Sequence, residues 1–269
     1  MGTLKDKKFA VVTGASCGIG FELARQCVKH GFEVMICSDS PDIHSAARTL
    51  STEGARVAPV QADLSIPDGV ETLANAVLED GRPVDALLLN AGVGVGGSFL
   101  ETPLEEELAM ISLNVMSVVH LSKRLLPPMV KRGKGRILVT ASVSSTTPTP
   151  YAAVYGATKA FDLSFAEALR TELAEHGITV TALQPGATDT RFFERAHMLD
   201  TPVGEGDKDD PADVARAGFE AMMAGKDSII AFSGRAKLNG LANEILPETV
   251  KAKMAAKQHK PKGMNNNRT

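Results

Sequence analysis

Residues 8–28 read KFAVVTGASCGIGFELARQCV, and the fold turns on them. Lys8 to Thr13 is a short apolar run without polar alternation, as in a strand covered on both faces of a parallel sheet. Ile19, Leu23 and Cys27 then recur every four residues, the spacing of one helix face. Between the two, Thr13 to Gly20 (TGASCGIG) sets Gly14, Gly18 and Gly20 in a tight strand-to-helix turn. Such a turn lets backbone N–H groups and a helix N-terminus approach a pyrophosphate. A glycine turn alone could serve packing only, but the strand before it and the helix after it favour a ligand. Ser16, Cys17 and Ile19 would border that ligand, Cys17 as a small filler residue.

The same alternation continues outward. Short apolar runs at Val34 to Cys37, Arg56 to Val60, Val84 to Leu89, Arg136 to Thr140, Ile178 to Leu183 and Ser228 to Ala231 predict six more strands. Helical spacing lies between them: Leu73, Val77 and Leu78 after Pro67; Leu104, Leu108, Ile111 and Val115 in a stretch reaching Pro127; Ala157, Phe161, Phe165, Ala168 and Leu169 in another. Alternation of this kind implies right-handed βαβ units, hence an α/β fold with a doubly wound parallel sheet and helices on both faces. Residues 1–250 are expected to form one domain, with a substrate-loop excursion near 188–211 that contains a DKDD run. Residues 251–269 are rich in Lys, Gln and Asn, and are expected to be a flexible polar tail.

Composition narrows the function. Of 269 residues, 43% are hydrophobic and 23% charged, a globular balance that excludes disordered, collagenous and coiled-coil chains. Lys plus Arg is 29 and Asp plus Glu 32, a net charge of -3, so no broad positive field awaits nucleic acid or an anionic membrane. With no Trp and 2 Tyr, stacking platforms for single strands are improbable too. Met1 to Lys8 is charged and lacks the apolar run of a signal peptide. No later stretch nears the roughly 18 apolar residues of a membrane span. Cys17, Cys27 and Cys37 form no CxxC, which fits reduced surroundings, so a soluble cytoplasmic protein is expected.

Several positions stand at carboxyl ends of strands, where open α/β sheets bind ligands. The second strand ends Cys37-Ser38-Asp39, and an acid here can accept from adenosine ribose hydroxyls while repelling a 2′-phosphate. No Arg or Lys sits at Cys17 or directly after that strand, so the sequence favours NAD and leaves NADP open. Asp63-Leu64 follows the third strand, where Asp63 either meets an adenine amino group or caps the next helix. Asn90-Ala91-Gly92 follows the fourth, and Gly92 allows close backbone approach.

Tyr155-Gly-Ala-Thr-Lys159 is YxxxK, and on a helix positions four apart share a face. An unperturbed tyrosine titrates near pH 10, so about one in a thousand is ionised at pH 7, and an adjacent ammonium favours the ionised form. Ser142 lies 13 residues before Tyr155, after the fifth strand. Asn114 lies 41 residues before it, interrupting an apolar helical stretch at a propensity cost. YxxxK, Ser142 and Asn114 each have structural readings; together behind a glycine turn they point to acid–base chemistry.

These residues, with TGASCGIG, Asn90-Ala91-Gly92 and Pro185-Gly186 followed by Thr190, resemble the short-chain dehydrogenase/reductase family from about Lys8 to Gly234. The resemblance implies a Rossmann-type domain with about seven strands and an Asn114, Ser142, Tyr155, Lys159 tetrad. It further implies NAD(P) held by Gly14, Ser16, Cys17, Gly18, Ile19, Gly20, Ser38, Asp39, Asp63, Leu64, Asn90, Ala91, Gly92, Tyr155, Lys159, Pro185, Gly186, Thr188 and Thr190. Tyr155 would be the general acid/base, Ser142 would bond the substrate oxygen, and Lys159 would also meet the nicotinamide ribose. Asn114 would hold a water in a proton relay through Lys159. Thr158 stands where Ser is common. Val93, Val95, Val143, Thr147, Tyr151, Phe192, Phe193 and Met198 are expected to face the substrate, and mostly apolar walls suggest a hydrophobic alcohol or ketone. A homodimer or homotetramer through the Asn114 and Tyr155 helices is implied as well. The rival reading is a catalytically silent Rossmann protein sensing nicotinamide dinucleotides, which has no use for the tyrosine, lysine and serine together.

Overall fold

The computed structural model describes residues 7–231 and 248–262. Seven parallel strands form one sheet in the order β3-β2-β1-β4-β5-β6-β7. They are β1 Lys8–Thr13, β2 Phe32–Ser38, β3 Val57–Gln61, β4 Ala86–Leu89, β5 Gly135–Thr140, β6 Ile178–Pro185 and β7 Ser228–Ala231. The helices are α1 Gly18–Lys29, α2 Asp42–Ser51, α3 Pro67–Asp80, α4 Leu104–Ile111, α5 Ser117–Arg132, α6 Ala153–Ala174, α7 Phe192–Arg195, α8 Pro202–Glu205, α9 Pro211–Met223 and α10 Glu248–His259. The doubly wound sheet follows from the strand composition. Val11, Leu87, Val139 and Val180 are buried against Leu73, Leu121 and Leu163 on one face. Val12, Ile36, Leu88 and Leu138 are buried against Leu23, Ile43 and Phe219 on the other. Strand order reverses between β1 and β4, which opens a crevice at their carboxyl ends.

Three expectations need correction. Residues 104–127 are not one regular helix: α4 passes into a π turn at Ser112–Met116, and α5 continues through Pro127 and Pro128 to Arg132. Leu104 and Leu108 face outward, and the buried residues of α4 and the π turn are Glu107, Met110 and Asn114. The polar tail is helical over α10, which packs on α8; Lys262 N–H donates to the Asp200 carbonyl at 3.2 Å and its ammonium pairs with Glu205. Residues 263–269 of that tail lie outside the described residues. Among the described residues no helix is long and apolar enough to cross a membrane, and no His/Cys/Asp/Glu cluster could hold a metal ion.

Candidate active site

A cleft of about 460 Å³ lies over the crevice. The glycine turn is its floor. Gly14 (φ +67°) and Gly18 (φ +59°) occupy the left-handed region that glycine takes without strain. At Gly20, an added Cβ would stand 2.2 Å from the Gly14 carbonyl oxygen and 2.5 Å from Asn90 Nδ2. Asn90 ties three strand ends together. Its Nδ2 donates to the Thr13 carbonyl at 3.1 Å, its backbone N–H to Thr13 Oγ1 at 2.9 Å, and its Oδ1 accepts from Thr140 Oγ1 at 3.1 Å. The Asn90 side chain thus braces the turn.

At one end of the cleft, Ser38 Oγ lies 3.1 Å from Ser16 Oγ and 3.0 Å from Asp39 Oδ1. Asp63 Oδ1 accepts from Ser65 N–H at 2.8 Å in the turn before α3, whose N-cap Ile66 has no side-chain cap hydrogen bond, so Asp63 does not cap that helix. A cation does stand near this end. Arg191, remote in sequence, reaches Cys17 Sγ at 3.7 Å and Asp42 Oδ2 at 3.5 Å, a charge that the residues at Cys17 and after the second strand do not supply. Burial pushes the Cys37 thiol up to about 12 and raises that of Cys27 as well, so neither is a nucleophile at neutral pH.

At the other end stands the tetrad. The π turn carries Asn114, which is fully buried. Asn114 Oδ1 accepts from Val93 N–H at 2.9 Å, and its Nδ2 donates to the Val93 carbonyl at 2.9 Å and to Thr158 Oγ1 at 3.0 Å. Thr158 Oγ1 in turn donates to the Tyr155 carbonyl at 2.8 Å, so Thr158 links the π turn to α6. Ser142 caps a 3-10 turn over Val143–Thr146, its Oγ accepting from Ser144 N–H at 3.1 Å. Ser145 Oγ accepts from Ser142 N–H at 3.1 Å and donates to the Lys159 carbonyl at 2.8 Å, which fixes the serine turn against α6.

Lys159 Nζ donates to the Thr140 carbonyl and to Asp162 Oδ2, both at 2.9 Å. Burial alone would depress this ammonium, but the charges of Asp162 and Tyr155 and the Asp162 hydrogen bond outweigh it and hold Lys159 above the ordinary lysine range. The Tyr155 ring packs on Phe192 with centroids 5.3 Å apart.

The cleft is lined by Gly14, Ser16, Cys17, Gly18, Ile19, Gly20, Ser38, Asp39, Asp63, Leu64, Asn90, Ala91 and Gly92. Ser142, Tyr155, Lys159, Pro185, Gly186, Thr188 and Thr190 line it too, with Val93, Val143, Phe192, Phe193 and Met198. Asn114 stands behind the wall, bonded to Val93. Val95, Thr147 and Tyr151, expected to face substrate, are not among the lining residues. Val95 is buried beneath its loop. Thr147 closes the 3-10 turn, its carbonyl turned to Thr149 Oγ1. Tyr151 adopts φ 65°, with its carbonyl accepting from Gly97 N–H at 2.8 Å. Sequence reading did not foresee Leu113, Val203, Gln258 and His259 in the wall, nor the Asp162 partner of Lys159. An aspartate between Phe161 and Leu163 on an apolar helix was the available signal for Asp162. No local pattern marks a tail helix that returns to the cleft.

A doubly wound parallel sheet with a glycine turn at its switch point, and a Tyr–Lys pair beside a serine and a buried asparagine, defines a dinucleotide-fold oxidoreductase site. The family described as short chain dehydrogenase matches residues 8–198, and the chain belongs to it. It is 34% identical over 230 residues to the 1-deoxy-11-beta-hydroxypentalenate dehydrogenase of Streptomyces exfoliatus, covering 83% of this chain and 82% of that one. A short-chain dehydrogenase from Sphingobium yanoikuyae in complex with NADPH superposes with a TM-score of 0.78 at 26% identity, over 97% of this chain and 98% of that one. A short chain dehydrogenase/reductase from Burkholderia phymatum in complex with NAD gives 0.77 at 26% identity, over 88% and 92%. The protein is a short-chain dehydrogenase/reductase and an oxidoreductase enzyme.

Proposed function

We propose that this enzyme transfers a hydride between a nicotinamide dinucleotide and the carbinol or carbonyl carbon of a hydrophobic alcohol or ketone. The observation that carries this reading is the shared cleft: the glycine floor and Ser16, Ser38 and Asp39 open into the same cavity as Tyr155, Lys159 and Ser142. The residues fit the cofactor. Gly14 and Gly18 present backbone without side chains, and an added Cβ at Gly92 would stand 3.2 Å from both Lys159 Nζ and Asn114 Oδ1. When bound, the nicotinamide supplies or accepts the hydride.

Tyr155 exchanges the proton on the substrate oxygen, as base in oxidation and acid in reduction. Ser142 Oγ, already accepting from Ser144 N–H, turns its own proton to that oxygen. Lys159 keeps its charge beside the phenol and bonds the ribose. Asn114 braces the Val93 backbone and, through Thr158, the Tyr155 helix. Val93, Phe192 and Met198, with Leu113 and Val203, form the apolar wall that selects substrate. Ser38 and Asp39 favour NAD, whereas Arg191 beside Cys17 gives a 2′-phosphate a partner. A panel of alcohols and ketones with NAD(H) and NADP(H), read by reduced-nicotinamide absorbance, tests the reading. No turnover with any pair would refute it.

Self-association is part of the same reading. Leu104, Leu108 and Met116 are exposed along the run from α4 into the π turn. On α6, Phe161 and Phe165 stack with centroids 5.6 Å apart. Sedimentation is expected to give a dimer or tetramer, and Leu108→Glu with Met116→Glu a smaller species. A monomeric wild type would contradict this.

A further inference from the structure

One buried ionisable group has no role in the chemistry above. Asp162 is 1% exposed and lies one turn after Lys159 on α6. Its Oδ2 accepts from Lys159 Nζ at 2.9 Å, and its Oδ1 is buried with no hydrogen-bond partner. Burying a carboxylate is costly, and an apolar side chain could fill such a site without that cost. The carboxylate therefore has to be weighed by what it does to the lysine.

An ammonium has three N–H donors and no acceptor. One goes to the Thr140 carbonyl on β5 and one to Asp162, so two of the three directions are fixed. The third is left for the cleft, which Lys159 lines and where Gly92 keeps the approach free of a side chain. Two charged or titratable groups face Lys159, Asp162 and Tyr155, both on its own helix. Among the described residues, the neighbours from the elements packed around it are the Thr140 carbonyl from β5, Asn114 from the π turn and the Gly92 backbone after β4, all neutral.

We propose that Asp162 is a positioning residue of the hydride-transfer site: it aims the third N–H of Lys159 at the nicotinamide ribose. The inference rests on the dehydrogenase reading for its catalytic consequence, but not for its effect on binding. Without the Asp162 charge, a lysine this buried has the Thr140 carbonyl and the Tyr155 phenol to oppose its desolvation and gives up its proton at lower pH. Its third N–H also loses its fixed direction.

The test uses the full-length protein with Asp162→Asn and Asp162→Glu, following dinucleotide binding by calorimetry and kcat and KM from pH 6 to pH 10. Asn keeps an acceptor without the charge, and Glu keeps the charge in a shifted place. Asp162→Asn is expected to weaken dinucleotide binding about tenfold. It is also expected to move the alkaline fall of kcat/KM down by about one pH unit. Asp162→Glu is expected to keep the wild-type alkaline limb while binding stays weakened. A lower Tm with unchanged binding and an unchanged limb in Asp162→Asn would mean that Asp162 serves only the fold, and would overturn the proposal.

If neither variant folds, infrared spectra of wild type carrying 13C-labelled aspartate decide. A carboxylate that ionises with Lys159 charged supports the proposal, and a buried protonated acid at pH 7 overturns it. Wild type that binds dinucleotide but turns over no substrate would defeat the dehydrogenase reading, and the binding arm would still judge Asp162.

Discussion

Tyr155→Phe is expected to lower kcat by at least about 10²-fold, and by up to about 10⁴-fold, while dinucleotide binding stays near wild type. The structure separates these two outcomes. The substitution deletes one oxygen, the proton-transferring group of the proposed chemistry. It leaves the ring on Phe192 at 5.3 Å and the backbone carbonyl that accepts from Thr158 Oγ1 at 2.8 Å. Lys159 remains held by Thr140 and Asp162, and the glycine floor is untouched. Single-turnover hydride transfer and calorimetric titration with the dinucleotide, on the same preparation, make the comparison. Near-wild-type turnover would remove Tyr155 from the acid/base role.

Gly20→Ala is expected to fail at the other end of the cleft and in the opposite sense, through binding. The added methyl would lie 2.2 Å from the Gly14 carbonyl oxygen and 2.5 Å from Asn90 Nδ2. The first neighbour is backbone and the second already donates to the Thr13 carbonyl, so neither moves without disturbing the strand ends of β1 and β4. Overpacking of this kind costs about 1–3 kcal/mol of stability. The turn must also shift away from the geometry that meets a pyrophosphate, and dinucleotide affinity is expected to fall about 100-fold, equivalent to roughly 2.7 kcal/mol. Thermal unfolding and dinucleotide titration measure the two effects. A variant with wild-type affinity would show that the turn is not the phosphate cradle.

The sheet was legible because its central strands are apolar runs buried on both faces, which leaves a plain mark in sequence, while the edge strands β3 and β7 are only partly covered. The ends were less so. The second strand begins at Phe32, two residues before the run expected at Val34, and includes Glu33, which is buried there and paired with Arg82, 49 residues away. The tetrad positions were readable because Tyr155 and Lys159 are neighbours on one helix and Ser142 follows a strand. Their supports were not. The Thr140 carbonyl is backbone and carries no residue signature, and the Arg191 contact with Cys17 joins positions 174 apart. In α4 the apolar spacing of Leu104 and Leu108 suggested a buried face, yet Glu107 and Met110 point inward, because the π turn changes which residues share a side with α5.

That widened turn makes the active site sensitive to residue count. An α-helix advances about 100° per residue. Deleting one residue between Ser112 and Met116 would close the turn into regular α winding from α4 to α5 and shift the residues it carries by about that angle. Asn114 would swing off the Val93 backbone, and the chain would stay helical throughout while its chemistry came apart.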